Sequence, residues 1–162
     1  MKTTKLKLFT LFLLLLPLCA VLLGAGCEDA DEYSNFVEGY VVGSFIGDEV
    51  DGEGQATGNK TKRGYCILLE ENKNKRMDFY TFNFSDTLFA FPDEILSPDY
   101  NGNNCGPTFF PDSLKFAYKI KFNYQIVNEP DKVQFITACF ALDAAFLWDN
   151  YDQIFIKETS KN

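Results

Sequence analysis

The sequence predicts an all-β domain, a small β-barrel of about six strands with one short helix, set behind an N-terminal leader. Three observations carry this. Leu114, Phe116, Tyr118, Ile120, Phe122, Tyr124 and Ile126 alternate strictly with Lys115, Ala117, Lys119, Lys121, Asn123 and Gln125, the period of a strand with one buried and one wet face. Val37 to Ile46 is rich in β-formers, and its two glycines, Gly39 and Gly43, lie four apart on one face. Tyr65 to Glu70 and Met77 to Phe84 flank the short charged turn Glu71 to Lys75, the spacing of a hairpin.

Taken in order, the first strand is Val37 to Ile46, and a glycine within it marks a bulge or a sharp bend. Gly47 to Arg63 reads as a polar loop holding Asp48, Glu49, Asp51 and Glu53. The hairpin of strands two and three follows. Ser85 to Ser113 is a long irregular link with room for one short helix, because Pro92 suits a first helical turn and Asp93-Glu94 suit its N-terminal dipole. Turn chemistry then runs from Ser97 to Asn104. The long alternating strand over 114–126 is expected to turn at Asn128-Glu129-Pro130-Asp131 and to return as a hairpin partner over Lys132 to Cys139. Ala141 to Tyr151 is ambiguous, with one helical turn at most, and Gln153 to Lys157 closes the fold.

Three strands, a long excursion and three more strands resemble the order of an OB-type or related Greek-key barrel. A β-sandwich is the alternative, since strand count alone does not separate the two. The resulting domain plan is a leader over 1–26, an acidic tether over 27–36, one barrel-like domain over 37–158 and a tail over 159–162.

The leader fixes the expected location. Lys2, Lys5 and Lys7 precede an apolar run from Leu8 to Leu23, and Gly24-Ala25-Gly26 lead into Cys27, the parts of a secretory signal peptide. The run falls short of the roughly 20 residues of a membrane span and is interrupted by Pro17. Small residues directly before a cysteine resemble a bacterial lipobox, with one departure: Leu23 stands four residues before Cys27 and Gly24 takes the place where leucine is usual. Cys19 follows Leu16-Pro17-Leu18 and fits the small-residue requirement badly. The resemblance implies cleavage before Cys27, lipidation of its thiol (palmitate among the acyl chains) and attachment to the membrane through that lipid.

Glu28-Asp29-Ala30-Asp31-Glu32 follows at once, a solvated tether on its charge alone. Placed behind a lipidated cysteine, it also resembles the acidic export signal of surface lipoproteins of the Bacteroidota. The phenylalanine-rich, histidine-free remainder is similar to small lipoproteins of that group, whose function is not established. This implies an outer-membrane lipid anchor, surface-exposed or alternatively facing the periplasm.

Charge and composition narrow the function classes. Without its leader the chain has 12 bases against 23 acids, a net charge of −11, which disfavours nucleic acid and suits cations, cationic peptides or neutral sugars. The 136 residues that remain are enough for one domain with a real core. Histidine is absent, which removes the commonest general base, the usual nucleophile pairs and most zinc and copper sites. No cofactor is implied and no enzyme is expected. Of the cysteines left, Cys66 reads as a small core residue, and a disulfide, if one forms, would join Cys105 to Cys139.

The candidate binding residues are aromatics in loops: Tyr100, Phe109, Phe110, Trp148 and Tyr151. They could form a stacking platform for a sugar or peptide. The plainer account makes Phe109-Phe110, between Pro107 and Pro111, a plug for one end of the barrel. Neither acidic loop makes a calcium site. Val50 spoils the oxygen spacing of the first, and Phe110 stands where the loop beginning at Asp99 would need a bidentate acid. Two classes are carried forward: a monomeric binding or accessory lipoprotein recognising a glycan, peptide or protein, and a carboxylate-dependent glycan hydrolase with two acids a few ångströms apart. A structural subunit of an envelope assembly is the third reading.

Overall fold

The computed structural model describes residues 33–96, 105–137 and 145–162. These residues form nine strands: β1 (Val37–Phe45), β2 (Asp48–Val50), β3 (Ala56–Lys60), β4 (Gly64–Leu69), β5 (Phe79–Thr81), β6 (Thr108–Phe109), β7 (Lys119–Ile126), β8 (Phe135–Ile136) and β9 (Asp152–Lys161). Five of them close a ring in the order β1-β4-β5-β9-β7 and back to β1, with β6 added beside β1. All the pairings are antiparallel except β5 with β9, which is parallel. This is a closed Greek-key barrel of OB type, not a sandwich.

Closure is paid for by local chemistry at β1, which must curve enough to pair with β4 and β7 at once. Its register against β4 slips between Val41 and Gly43, a bulge that bends the strand. Beside the bulge the close pairing with β6 needs Gly43, because a Cβ there would meet the Thr108 carbonyl oxygen at 2.8 Å. The expected bend glycine is thus where β6 approaches.

Alternation along the strands divides the apolar residues between two cores. Val41, Tyr65, Ile67, Leu69, Ile120, Phe122, Ile154 and Ile156 fill the barrel. One end is closed by the chain between β5 and β7: Phe84, Ile95 and Phe110 are buried there, and Phe89, Phe91 and Tyr118 pack in the same cluster. Phe91 lies 5.5 Å from Tyr65, 5.8 Å from Phe110 and 4.7 Å from Tyr118, so one ring joins plug to barrel. The second core covers the outer face of β1, β4 and β5, where Tyr40, Val42, Phe45, Cys66, Leu68, Met77 and Tyr80 are buried under aromatic side chains from the chain between β7 and β9.

Several expectations change. The polar loop after β1 contains the hairpin β2–β3, because the Asp51 carboxylate accepts from the backbone N–H of Glu53 and of Gln55 and so builds its turn. The third strand shrinks to Phe79–Thr81. The long alternating strand begins only at Lys119: Asp112–Leu114 is a 3-10 turn and Phe116 is exposed. Alternation over 114–118 is therefore coincidence, with Lys115 donating to the Lys73 and Lys75 carbonyls. The partner of β7 is β9, paired from Ile120↔Lys161 to Ile126↔Ile154, and not the segment after Asn128. That segment supplies β8, which pairs with β2 through Glu49↔Phe135 and Asp48↔Ile136. Residues 159–161, read as tail, are the last of β9. The short helix is present as the 3-10 turn Asp93–Ile95 behind Pro92. No helix of the described residues is long and apolar enough to cross a membrane.

Candidate functional site

Between β7 and β9 the chain leaves the barrel, crosses the outer face of β4–β5 and returns. Both arms of this excursion are tied down. On the outgoing arm, Val133 N–H donates to Gln153 Oε1 at 3.1 Å and Val50 N–H donates to the Gln134 carbonyl at 3.3 Å. On the returning arm, Phe146 N–H donates to the Cys105 carbonyl at 2.8 Å, and the indole N–H of Trp148 donates to Thr137 Oγ1 at 3.1 Å. Trp148–Asn150 is one 3-10 turn, closed by Tyr151 N–H to the Trp148 carbonyl. OB barrels commonly bind through this loop, the first hairpin loop and the sheet face beneath them. Here the two loops are joined to each other through β2 and β8.

A pocket of about 280 Å³ lies between the arms. Tyr80 of β5 forms its floor, residues from Glu129 to Phe135 one wall, and Trp148, Asp149, Tyr151 and Asp152 the other. Three rings pack edge to face on Trp148, with centroids at 5.3 Å for Tyr80, 5.0 Å for Phe135 and 4.8 Å for Phe146, and Phe45 lies tilted against it at 4.4 Å. Such geometry suits the ring quadrupoles and contributes about 0.5–1.5 kcal/mol per pair beyond buried area. It fixes the position of the indole, and hence of the pocket wall.

The electrostatics are one-sided. Glu129, Asp149 and Asp152 stand against one ammonium, Lys132, which pairs with Glu129 at 2.6 Å. Among the described residues, Asp149, Asp152 and the Tyr80 hydroxyl make no side-chain hydrogen bond or ion pair. Burial pushes the Tyr80 hydroxyl above its ordinary value; Lys132 opposes that, while Asp149, Glu129 and Asp152 add to it. The hydroxyl is therefore neutral at physiological pH and feels all four charged groups of the pocket.

The sequence-predicted residues divide. Trp148 and Tyr151 come together in the pocket, with Tyr151 stacked on Phe146 at 5.4 Å. Phe110 is buried in the plug, the plainer of its two readings. Phe109 faces the other core, half-buried against Phe146 and under the Arg76 guanidinium at 4.5 Å, so it is no free platform. Tyr100, Cys27 and Cys139 lie outside the described residues. Cys105 is disulfide-bonded, and Cys66 is a free, buried thiol whose pKa is driven up by burial. Sequence reasoning missed Tyr80, Phe135 and the three acids of the rim. Tyr80 carried a signal: it pairs with Cys66 in the β4–β5 hairpin, on the face away from the barrel interior.

Carboxylate catalysis would draw on an acid whose pKa is raised. Glu70 is moved the other way, to about 2, first by Lys119 and then by Lys73. It belongs to an exposed ion cluster in which Lys119 reaches Glu38 at 2.6 Å and Glu70 at 2.7 Å. Comparisons of the chain with family models, with curated proteins and with solved structures find no match to any of them.

Proposed function

We propose that the chain is a lipid-anchored, non-enzymatic binding module that takes its ligand in the pocket between the two arms on the outer face of β4–β5. The observation that carries this is a concave site lined by Tyr80, Phe135, Trp148 and Tyr151, at whose floor the Tyr80 hydroxyl makes no hydrogen bond among the described residues. A ligand that hydrogen-bonds to this hydroxyl gains about 0.5–1.5 kcal/mol from that bond. The lipobox-like Gly24-Ala25-Gly26-Cys27 and the acidic residues behind it support display on the envelope, at the outer membrane.

The experiment is thermal stability of the intact chain in neutral detergent with a panel of glycans, divalent cations and envelope peptides. A ligand at 100 times its Kd stabilises by about 2.7 kcal/mol and raises the midpoint by a few degrees. A rise with one class, reduced in Y80F, is the expected result. No rise with any class moves the function to a protein subunit of an envelope assembly. For the anchor, C27S should leave the chain out of the detergent phase on phase separation, and an unchanged partition would exclude a lipid on Cys27.

A further inference from the structure

The volume, charge and walls of the pocket point to one kind of ligand group. Pockets for drug-sized ligands span roughly 300–1,000 Å³, so a pocket of about 280 Å³ stands at the small end and has room for a single side chain. Three carboxylates face one ammonium that Glu129 already holds at 2.6 Å, which leaves Asp149 and Asp152 uncompensated among the described residues. An anionic group would meet net repulsion, three carboxylates against one ammonium that is already paired. Lys132 shows what the rim accepts: its ammonium pairs with a carboxylate, and both residues line the pocket. The Tyr80 hydroxyl below can accept a hydrogen bond, and Trp148 and Phe135 stand in the lining, where a cation and its stem can lie against an aromatic ring.

Resting on the reading that this pocket is the binding site, we infer that its ligand is the ammonium end of a lysine-type side chain presented by a basic peptide segment of a partner protein. The stem lies against the aromatic wall. The ammonium is held between Asp149 and Asp152 and donates to the Tyr80 hydroxyl.

Trp148 is the chain's one tryptophan, so its emission reports this pocket alone. The intact chain in neutral detergent is titrated with Nα-acetyl-lysine methylamide and with the norleucine analogue, the same stem without charge, and each titration is repeated by calorimetry. The lysine probe should change Trp148 emission saturably, with the norleucine probe at least about tenfold weaker. D149N/D152N should weaken the lysine probe at least about tenfold, and K132Q, which frees Glu129, should tighten it a few-fold. Thermal midpoints of the variants establish that they are folded. Equal binding of the two probes, or a lysine affinity unchanged in D149N/D152N, overturns the inference. If the lysine probe is silent while a glycan still stabilises the chain in a Tyr80-dependent way, this inference falls and the pocket remains the binding site. If every compound is silent, both fall.

Discussion

The side-chain amide of Asn83 pairs with both backbone groups of Ile156: Nδ2 donates to the Ile156 carbonyl at 2.6 Å, and Ile156 N–H donates to Oδ1 at 3.0 Å. One side chain thus continues the parallel seam that β5 begins at Phe79↔Asp152 and Tyr80↔Gln153. Thr81 holds the amide in place by donating its hydroxyl to Oδ1 at 2.7 Å. The seam closes the barrel after a strand of only three residues. N83A should therefore cost about 1–3 kcal/mol, because it leaves two backbone groups of β9 unpaired. Urea denaturation reads the loss. A cost below a few tenths of a kcal/mol would mean that water replaces the amide and that the seam does not depend on it.

Gly39 and Gly52 make a matched pair of opposite sign. A Cβ on Gly39 would meet the Leu68 carbonyl oxygen at 2.6 Å, and that oxygen belongs to the paired strand β4 and has little freedom to give way. G39A should destabilise by about 1–3 kcal/mol through overpacking. Gly52 has nothing within 4 Å, so G52A should be neutral or stabilise by up to about 1 kcal/mol by restricting the unfolded chain. The two midpoints, measured side by side, would reverse order if β1 did not lie this close to β4.

Stability should fall on the alkaline side. Burial, and then donation to Asp86 at 2.6 Å, push the Tyr65 hydroxyl far above its ordinary value of 10.0. Burial also raises Tyr80, Tyr124 and the Cys66 thiol, and pairing with Glu38 and Glu70 raises Lys119. A group whose folded pKa is raised contributes stability that is complete below its unfolded value and is lost as pH climbs toward the folded one. The urea midpoint should thus decline from about pH 9 upward, and Y65F should flatten the decline. At the acid end Glu70, held at about 2 against 4.5, contributes above 4.5 and loses that contribution as pH falls toward 2. Its ion cluster is exposed, so the acid slope should be shallow and should vanish at high salt. A midpoint that rises above pH 9 would contradict the burial of these phenols.

The barrel was legible where runs of β-formers meet turn chemistry: Val37 to Phe45, the β4–β5 hairpin and the strand after Gln153 stand where such runs place them, β5 being shorter than its run. What misled was alternation without pairing. Leu114 and Phe116 keep the period of β7 yet lie before it, because period two records side-chain order and not which backbone lies alongside. Partner choice was illegible for the same reason, and β7 took β9 over the nearer segment after Asn128. Of the pocket, Trp148 and Tyr151 were legible as loop aromatics, but the rim acids were not. Glu129 lies far in sequence from Asp149 and Asp152, and the three meet only because Val133 and Trp148 fasten the two arms over Tyr80.

The central claim is that Trp148 forms the wall of an open pocket with an anionic rim, and collisional quenching of its emission tests this without knowledge of any ligand. Quenching of the intact chain by caesium and by iodide is measured at matched ionic strength, each relative to N-acetyltryptophanamide. The account predicts that caesium is favoured over iodide on that relative scale, and that D149N/D152N removes the preference. Preferred quenching by iodide would contradict the anionic rim, and an indole reached by neither ion would contradict the pocket itself.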